Sequence, residues 1–156
     1  MGQRFLRDVA GLGRGYPVIG ANSEQFSHAD PVYINSSGFL AVFAQSTNPA
    51  VLGYYCGQGE TMSSTNQTVA KKCPDYVYAH GVEMVFGADQ AATQTDVGDF
   101  CDMGTSTTGA YQIDLAAGQS NEKSFFVLGF DPDGDGTTTD VVVVAAQPQH
   151  LGYAAV

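Results

Sequence analysis

The fold of this chain is indicated most clearly by the stretch PVYINSSGFLAVF, residues 31–43. Two runs of β-prone residues, 31–34 and 39–43, flank the turn-forming sequence Asn-Ser-Ser-Gly at 35–38. Two such runs across an Asn- and Gly-containing turn are typical of a β-hairpin. We therefore predict that residues 31–43 form two adjoining antiparallel strands.

Outward from this hairpin, further segments have the composition of strands. Residues 76–78 and 82–86 flank the pair His80-Gly81, which predicts a second hairpin. Residues 89–108 are polar and compatible with a helix only at their start, and no segment keeps a helical period. The remaining strand candidates are 50–56, 111–115, which alternates apolar and polar residues, and the two most hydrophobic runs, 125–130 and 141–144, joined by an acidic loop.

These segments predict a mainly β fold, a small β-barrel or β-sandwich (β-tulip-like) with at most one or two short helices. The chain has 156 residues, of which 44% are hydrophobic, so it is long enough for one domain with a real core. We expect an extended N-terminal arm at residues 1–16 and a single β-rich domain at residues 17–156.

The overall charge argues against several partner classes. Sixteen acidic residues against six basic ones give a formal net charge of −10, which repels a nucleic-acid backbone. The longest apolar run, residues 141–146, is far too short to cross a bilayer. The three cysteines, Cys56, Cys73 and Cys101, are odd in number and lack a CxxC pair, which predicts reduced, buried thiols. We predict neither nucleic acid nor membrane as a partner.

The positive charge is concentrated at the N-terminus. Residues 1–14 hold three arginines against Asp8, giving 3 − 1 = +2, whereas the other residues hold 3 lysines against 15 acids, giving −12. A basic, apolar arm of this kind suits an acidic partner surface, and we expect deletion of residues 1–14 to abolish partner binding while leaving the body folded. The candidate contact residues of the arm are Arg4, Phe5, Leu6, Arg7, Val9, Leu12 and Arg14.

Candidates for metal binding or catalysis are few. The run DPDGDG at 131–136 matches the opening of a calcium loop, but the position of the bidentate Glu is Val142, inside a predicted strand. Asp140 could contribute a ligand, yet a hairpin tip of Asp, Pro and Gly explains the sequence equally well. Cys73 or Cys101 with His80 could pair for catalysis, although a lone His beside a glycine is more often structural. We predict no catalytic residues, no metal and no cofactor.

The strand pattern resembles that of a known family. Residues 30–34 lead through a turn to residues 38–42, and after a polar spacer residues 50–54 read Ala-Val-Leu-Gly-Tyr. This succession resembles the small head-decoration (capsid cement) proteins of tailed bacteriophages, of the lambda head decoration protein type. Residues 71–84 are similar to the next hairpin of such proteins, and residues 126–132, with 141–144 and 148–149, resemble phage structural proteins.

The resemblance implies a non-enzymatic structural virion protein that binds the outer surface of a phage capsid and cements neighbouring major capsid subunits. Its expected partners are the major capsid protein and itself, as a homotrimer, with N-terminal arms lying on the shell. Its expected place is the capsid exterior, after assembly in the host cytoplasm. Two alternatives stay open: a receptor- or carbohydrate-binding β module of a virion or surface adhesin, with or without calcium, and a cysteine-based enzyme.

Overall fold

A computed structural model describes residues 4–8, 13–44, 49–63, 71–79, 81–105, 111–115, 124–131 and 140–146. These residues are mainly β, as predicted, and their helical content is one 3-10 turn, Gln94–Asp96. The strands are β1 (Arg4–Asp8), β2 (Gln25–Phe26), β3 (Pro31–Ile34), β4 (Leu40–Val42), β5 (Gly53–Tyr55), β6 (Glu60–Thr61), β7 (Tyr76–Tyr78), β8 (Val82–Ala88), β9 (Phe100–Thr105), β10 (Tyr111–Asp114), β11 (Phe125–Phe130) and β12 (Asp140–Ala145).

Five of these strands close into a barrel. The order is β8-β10-β9-β11-β12, and β12 pairs back with β8. The pair β8–β10 is parallel and the other four pairs are antiparallel. Alternate side chains along these strands fill the interior, because successive residues of a strand point to opposite faces. The interior is formed by Val82, Met84, Phe86, Cys101, Met103, Ile113, Phe125, Val127, Val141 and Val143.

The other large sheet has four strands in the order β4-β3-β5-β7, all antiparallel neighbours. Both of its faces are buried, as β5 illustrates. Tyr54 belongs to the cluster that includes the barrel interior, whereas Tyr55 belongs to a second cluster with Phe26 of β2 and Met62 after β6. Strands β2 and β6 pair with each other. The four-stranded sheet is therefore the layer between the barrel and this second core.

The hairpin predicted at residues 31–43 is confirmed as β3–β4. Its turn is organised by Asn35, whose Oδ1 accepts hydrogen bonds from the backbone amides of Ser37 and Phe39, each at 3.0 Å. Gly38 has φ +82°, a conformation that L side chains rarely adopt. The turn sequence thus fixes the geometry that the two strands require.

The prediction that residues 76–78 and 82–86 form a second hairpin is wrong. Strand β7 pairs with β5 in the four-stranded sheet, whereas β8 pairs with β1, β10 and β12 in the barrel sheet. The chain changes sheets between them, in a turn where the amide of Val82 donates to the carbonyl of Ala79 and Gly81 has φ +73°. The physical cause is burial: Tyr76 fills the second core, while Val82 fills the barrel.

Candidate functional site

The basic N-terminal segment, residues 4–8, lies on the outside edge of the barrel sheet. Strand β1 pairs antiparallel with β8, placing Arg4 opposite Val85 and Arg7 opposite Glu83, with a bulge between Phe5 and Arg7. Residues 4–8, which belong to the predicted arm, are therefore a strand of this sheet. Deleting residues 1–14 would consequently remove a strand, so the body is expected to lose stability as well.

Strands β1 and β10 both pair with the same edge of β8. On one side, β12 pairs with β8 from Met84 to Gly87. On the other side, β10 pairs only with Gly87 and Ala88, and β1 pairs with residues 82–85. Because Glu83 and Val85 alternate with the inward residues of β8, they lie on the outer face of the barrel, yet they are 7% and 1% exposed. This part of β8, which we call the β8 edge (residues 82–85), is thus covered in the folded chain.

Residues 13–21, which we call the crossing segment, join the opposite edges of the four-stranded sheet. At the β7 edge, the amide of Gly15 donates to the carbonyl of Tyr76 at 2.7 Å, and the amide of Tyr78 donates to the carbonyl of Gly13 at 3.3 Å. At the β4 edge, Leu40 exchanges backbone hydrogen bonds with Ile19 and Ala21, at 2.9 and 2.7 Å. Both edge strands are therefore covered by one continuous piece of chain.

The crossing segment lies tightly over Tyr76. A Cβ atom at Gly15 would come within 2.2 Å of the Tyr76 ring, so glycine is required for this approach. The hydroxyl of Tyr76 donates to the carbonyl of Tyr16 at 2.8 Å, and the amide of Tyr16 donates to the hydroxyl of Tyr78 at 3.0 Å. Burial, followed by the neighbouring Tyr78, raises the pKa of Tyr76. Two tyrosines thus hold the backbone of an otherwise irregular segment.

Arg14, the last predicted contact residue, forms an ion pair with Asp75 on the surface of the four-stranded sheet. Their side chains are 70% and 52% exposed, and the hydrogen bond that Arg14 donates to the Asp75 carboxylate raises the pKa of Arg14. The neighbouring Tyr16 is 76% exposed. A cavity of about 320 Å³ lies here, lined by Arg14, Gly15, Pro17, Cys73, Pro74 and Asp75.

The predicted arm residues are therefore split between two sheets. Arg4, Phe5, Leu6 and Arg7 lie together in β1 on the barrel. Arg14 lies beside β7 on the four-stranded sheet. Val9 and Leu12 fall outside the described residues.

An exposed apolar patch on the barrel is a feature that the sequence analysis missed. Phe100 and Phe126 are register partners on β9 and β11, with ring centroids 5.1 Å apart. Phe100 is 37% exposed, and Leu128, two residues after Phe126 at a bulge of β11, is 40% exposed. Residues 100–105 lie within the polar stretch 89–108, whose composition does not assign Phe100 to a strand. The alternation of Cys101 and Met103 was the available signal.

The cysteines give no catalytic arrangement within the described residues. All three are free thiols. Cys101 is buried, whereas Cys56 and Cys73 are only partly buried, less than predicted. Burial, then the charge of Asp102, raises the pKa of Cys101 to about 12, and burial also raises the pKa of Cys56. A thiol so hard to ionise is a poor nucleophile. His80, the proposed partner, lies outside the described residues.

The candidate calcium loop is described only at its ends. The amide of Asp131 donates to the carbonyl of Asp140 at 3.1 Å and closes the β11–β12 hairpin. Residues 132–139, which hold the other aspartates, lie outside the described residues. Among the described side chains, no three His, Cys, Asp or Glu residues are grouped as a metal ion would require.

No helix in the described part of the chain is long and apolar enough to span a membrane. Comparison of the chain with protein-family models, with curated proteins and with solved structures gives no match.

Proposed function

We propose that this chain is a capsid decoration protein of a bacteriophage, a non-enzymatic virion protein that binds the outer surface of the capsid and cements neighbouring major capsid subunits. The observation that carries the proposal is the position of Arg4 and Arg7 in a peripheral strand of a chain whose net charge is −10. A basic strand on an acidic body is suited to an acidic partner surface, because complementary potentials steer and orient the encounter.

Exposed apolar side chains also support a role in an assembly. Phe100 and Leu128 on the barrel and Tyr16 on the crossing segment are large side chains that remain 37%, 40% and 76% exposed. Aromatic side chains on a surface are enriched at protein–protein contacts. These positions are separate from β1, so a docked chain has apolar contacts available in addition to its arginines.

The cementing effect follows from multivalency and mass action. A five-residue strand such as β1 offers few contacts, so one copy is expected to bind the shell weakly. A homotrimer presents three such surfaces, and effective concentration raises avidity by about 10²–10⁴. Binding to the assembled lattice, and not to separated subunits, then stabilises the lattice. The protein acts on the capsid exterior after assembly in the host cytoplasm.

The test compares two double variants that remove the same charge from different places. Arg4→Ala with Arg7→Ala removes the basic residues of β1, while Lys71→Ala with Lys72→Ala removes two exposed lysines from elsewhere. Cosedimentation with purified, undecorated capsids measures binding, and urea unfolding verifies that each variant is folded. We expect the arginine variant to bind at least tenfold more weakly and the lysine variant to bind normally. Equal binding by both variants would refute the role of β1.

A carbohydrate- or receptor-binding module is the second candidate, favoured by one observation. Tyr16, which is 76% exposed, lies in the chain between Gly15 and Pro17, and these two residues line the cavity at the Arg14–Asp75 ion pair. Ligand sites commonly combine an aromatic surface with a few polar groups. This candidate predicts that Tyr16→Ala abolishes glycan binding on an array.

A further inference from the structure

We propose that the end of strand β11, with the exposed apolar patch beside it, binds an extended segment of a partner protein that carries apolar and basic residues. The segment adds to β11 as a short strand. We call this surface the β11 site; it comprises residues 128–130 and the outward side chains of Phe100 and Phe126. The proposal goes beyond the proposed function, because it concerns a surface separate from β1 and a partner of the opposite charge.

The first argument is that β11 extends beyond the start of β9. Strand β12 pairs with β11 along residues 125–130, whereas β9 pairs only with residues 125 and 126. One further backbone hydrogen bond, from the amide of Val127 to the carbonyl of Asp99 at 3.0 Å, continues this contact. Before Asp99 the chain is in a turn at Gly98, which has φ +93°. Among the described strands, none pairs with the last three residues of β11 on the side away from β12.

The second argument is the direction of the backbone groups in this part of β11. The amide of Asp131 donates to the carbonyl of Asp140 on β12 at 3.1 Å. Because successive residues of a strand direct their amides and carbonyls to opposite sides, those of Phe130 point away from β12. A strand edge with such groups is a template for an extended segment of another chain. The backbone therefore favours a ligand in the extended conformation.

The third argument is the open apolar surface beside this edge. Leu128 is 40% exposed and Phe100 is 37% exposed. A Cβ atom at Gly129 would have nothing within 4 Å, so the space next to the strand is open. In strand addition, main-chain hydrogen bonds supply affinity, and contacts to alternate side chains supply specificity. Apolar side chains on one face of the added segment would bury this patch.

Charge selects the partner. Residues 83–156 contain 11 acidic residues and one basic residue, Lys123, giving 1 − 11 = −10. At the β11 site itself, Asp99 directly precedes Phe100 and Asp131 directly follows Phe130. A second copy of this chain would bring the same negative charge to the contact, whereas lysine or arginine in the added segment complements it. The occupant is therefore a basic and apolar segment of a different protein.

The first test measures binding of synthetic peptides to the purified chain by fluorescence anisotropy. The probe is a labelled peptide of sequence Lys-Val-Lys-Val-Lys-Val-Lys. One control peptide has Glu in place of each Lys, and another is N-methylated at every residue and so lacks backbone donors. We expect saturable binding of the probe and roughly tenfold weaker binding of both controls. Absence of saturable binding up to about 1 mM, or equal binding of the N-methylated peptide, would overturn the proposal.

The second test locates the binding with two variants that add the same charge. Leu128→Lys removes an exposed apolar side chain of the β11 site and places a positive charge there. Gln25→Lys adds its charge at an exposed position of β2, in another sheet. Urea unfolding verifies that both variants are folded. We expect Leu128→Lys to bind the probe roughly tenfold more weakly and Gln25→Lys to bind it as the wild type does. Equal affinities of the two variants would exclude the β11 site.

Hydrogen exchange tests strand addition at one residue. The amide of Phe130 should exchange more slowly when the probe is bound, whereas the amide of Asp131, which already donates to Asp140, should not change. Unchanged exchange at Phe130 would contradict an added strand. The two proposals fail separately, because the capsid test changes only β1 and the peptide test only the β11 site. If the probe does not bind, the β11 site falls and the capsid role of β1 is unaffected.

Discussion

The barrel and the four-stranded sheet solve the problem of open strand edges in different ways. The barrel closes on itself, since β12 returns to β8, and its interior is filled by aliphatic, aromatic and sulfur side chains. The four-stranded sheet stays open, and its two edges are covered by the crossing segment, which is held by backbone hydrogen bonds and by the hydroxyls of Tyr76 and Tyr78. The stability of the barrel should therefore depend on packing, and that of the sheet on one edge segment.

The largest expected effect is on the barrel interior. Phe125 is fully buried, with ring centroids 5.8 Å from Phe86 and 6.3 Å from Phe43. Phe125→Ala removes these contacts and leaves a cavity, so we expect the free energy of unfolding to fall by about 3–5 kcal/mol in urea titration. The control is Phe100→Ala on the outer face, with an expected loss of about 1 kcal/mol. Equal losses would mean that the barrel does not depend on its interior packing.

The corresponding change in the four-stranded sheet is Gly15→Ala. Its new methyl group meets the buried ring of Tyr76, which cannot move aside, so the crossing segment must lift from β7. We expect a loss of about 1–3 kcal/mol. Gly129→Ala in β11 is the matched control, because a Cβ there has nothing within 4 Å, and its effect should not exceed about 0.5 kcal/mol. If the two variants are equally stable, the crossing segment does not hold the sheet.

The barrel should also respond to alkaline pH through Cys101. Its pKa is about 12 in the folded chain, whereas an unfolded thiol has a pKa of about 8.5. Between these values the unfolded chain ionises and the folded chain does not. The free energy of unfolding therefore falls as pH rises above about 8.5, by up to about 1.4 kcal/mol per pH unit. Cys101→Ala should flatten this slope between pH 9 and 10. Parallel curves for variant and wild type would contradict the assignment.

The smallest effect concerns the tyrosine hydroxyl that holds the crossing segment. Tyr76→Phe keeps the ring in the second core but leaves the carbonyl of Tyr16 without its hydrogen bond, so we expect a loss of about 1 kcal/mol. Tyr16→Phe removes a hydroxyl from a ring that is 76% exposed and should change little. Hydrogen exchange gives an independent measurement: the amides of Gly15 and Tyr78 should exchange faster in Tyr76→Phe alone.

Local patterns predicted the fold class and several strands because these depend on neighbouring residues. Residues 31–43 form a hairpin since the Asn35 side chain and Gly38 build its turn, and the hydrophobic runs 125–130 and 141–144 became β11 and β12. Strand β9 was missed because Asp102 and Gly104 give the segment a polar composition, although they alternate with its inward Cys101 and Met103. The charge asymmetry predicted that the N-terminal residues contact a partner. It contains no information on strand pairing, so it could not show that these residues divide between two sheets.

The sequence by itself determined that the chain is β-rich and acidic, with its arginines near the N-terminus, because alternation, turn residues and charge can be read locally. Tertiary structure decided which strands pair. Strands β7 and β8 are neighbours in sequence, yet they belong to different sheets, and β1 pairs with β8, which lies nearly eighty residues further along the chain. Several strands that are distant in sequence have similar local patterns of apolar residues. Which of them pair therefore depends on the arrangement that buries all of their apolar faces together.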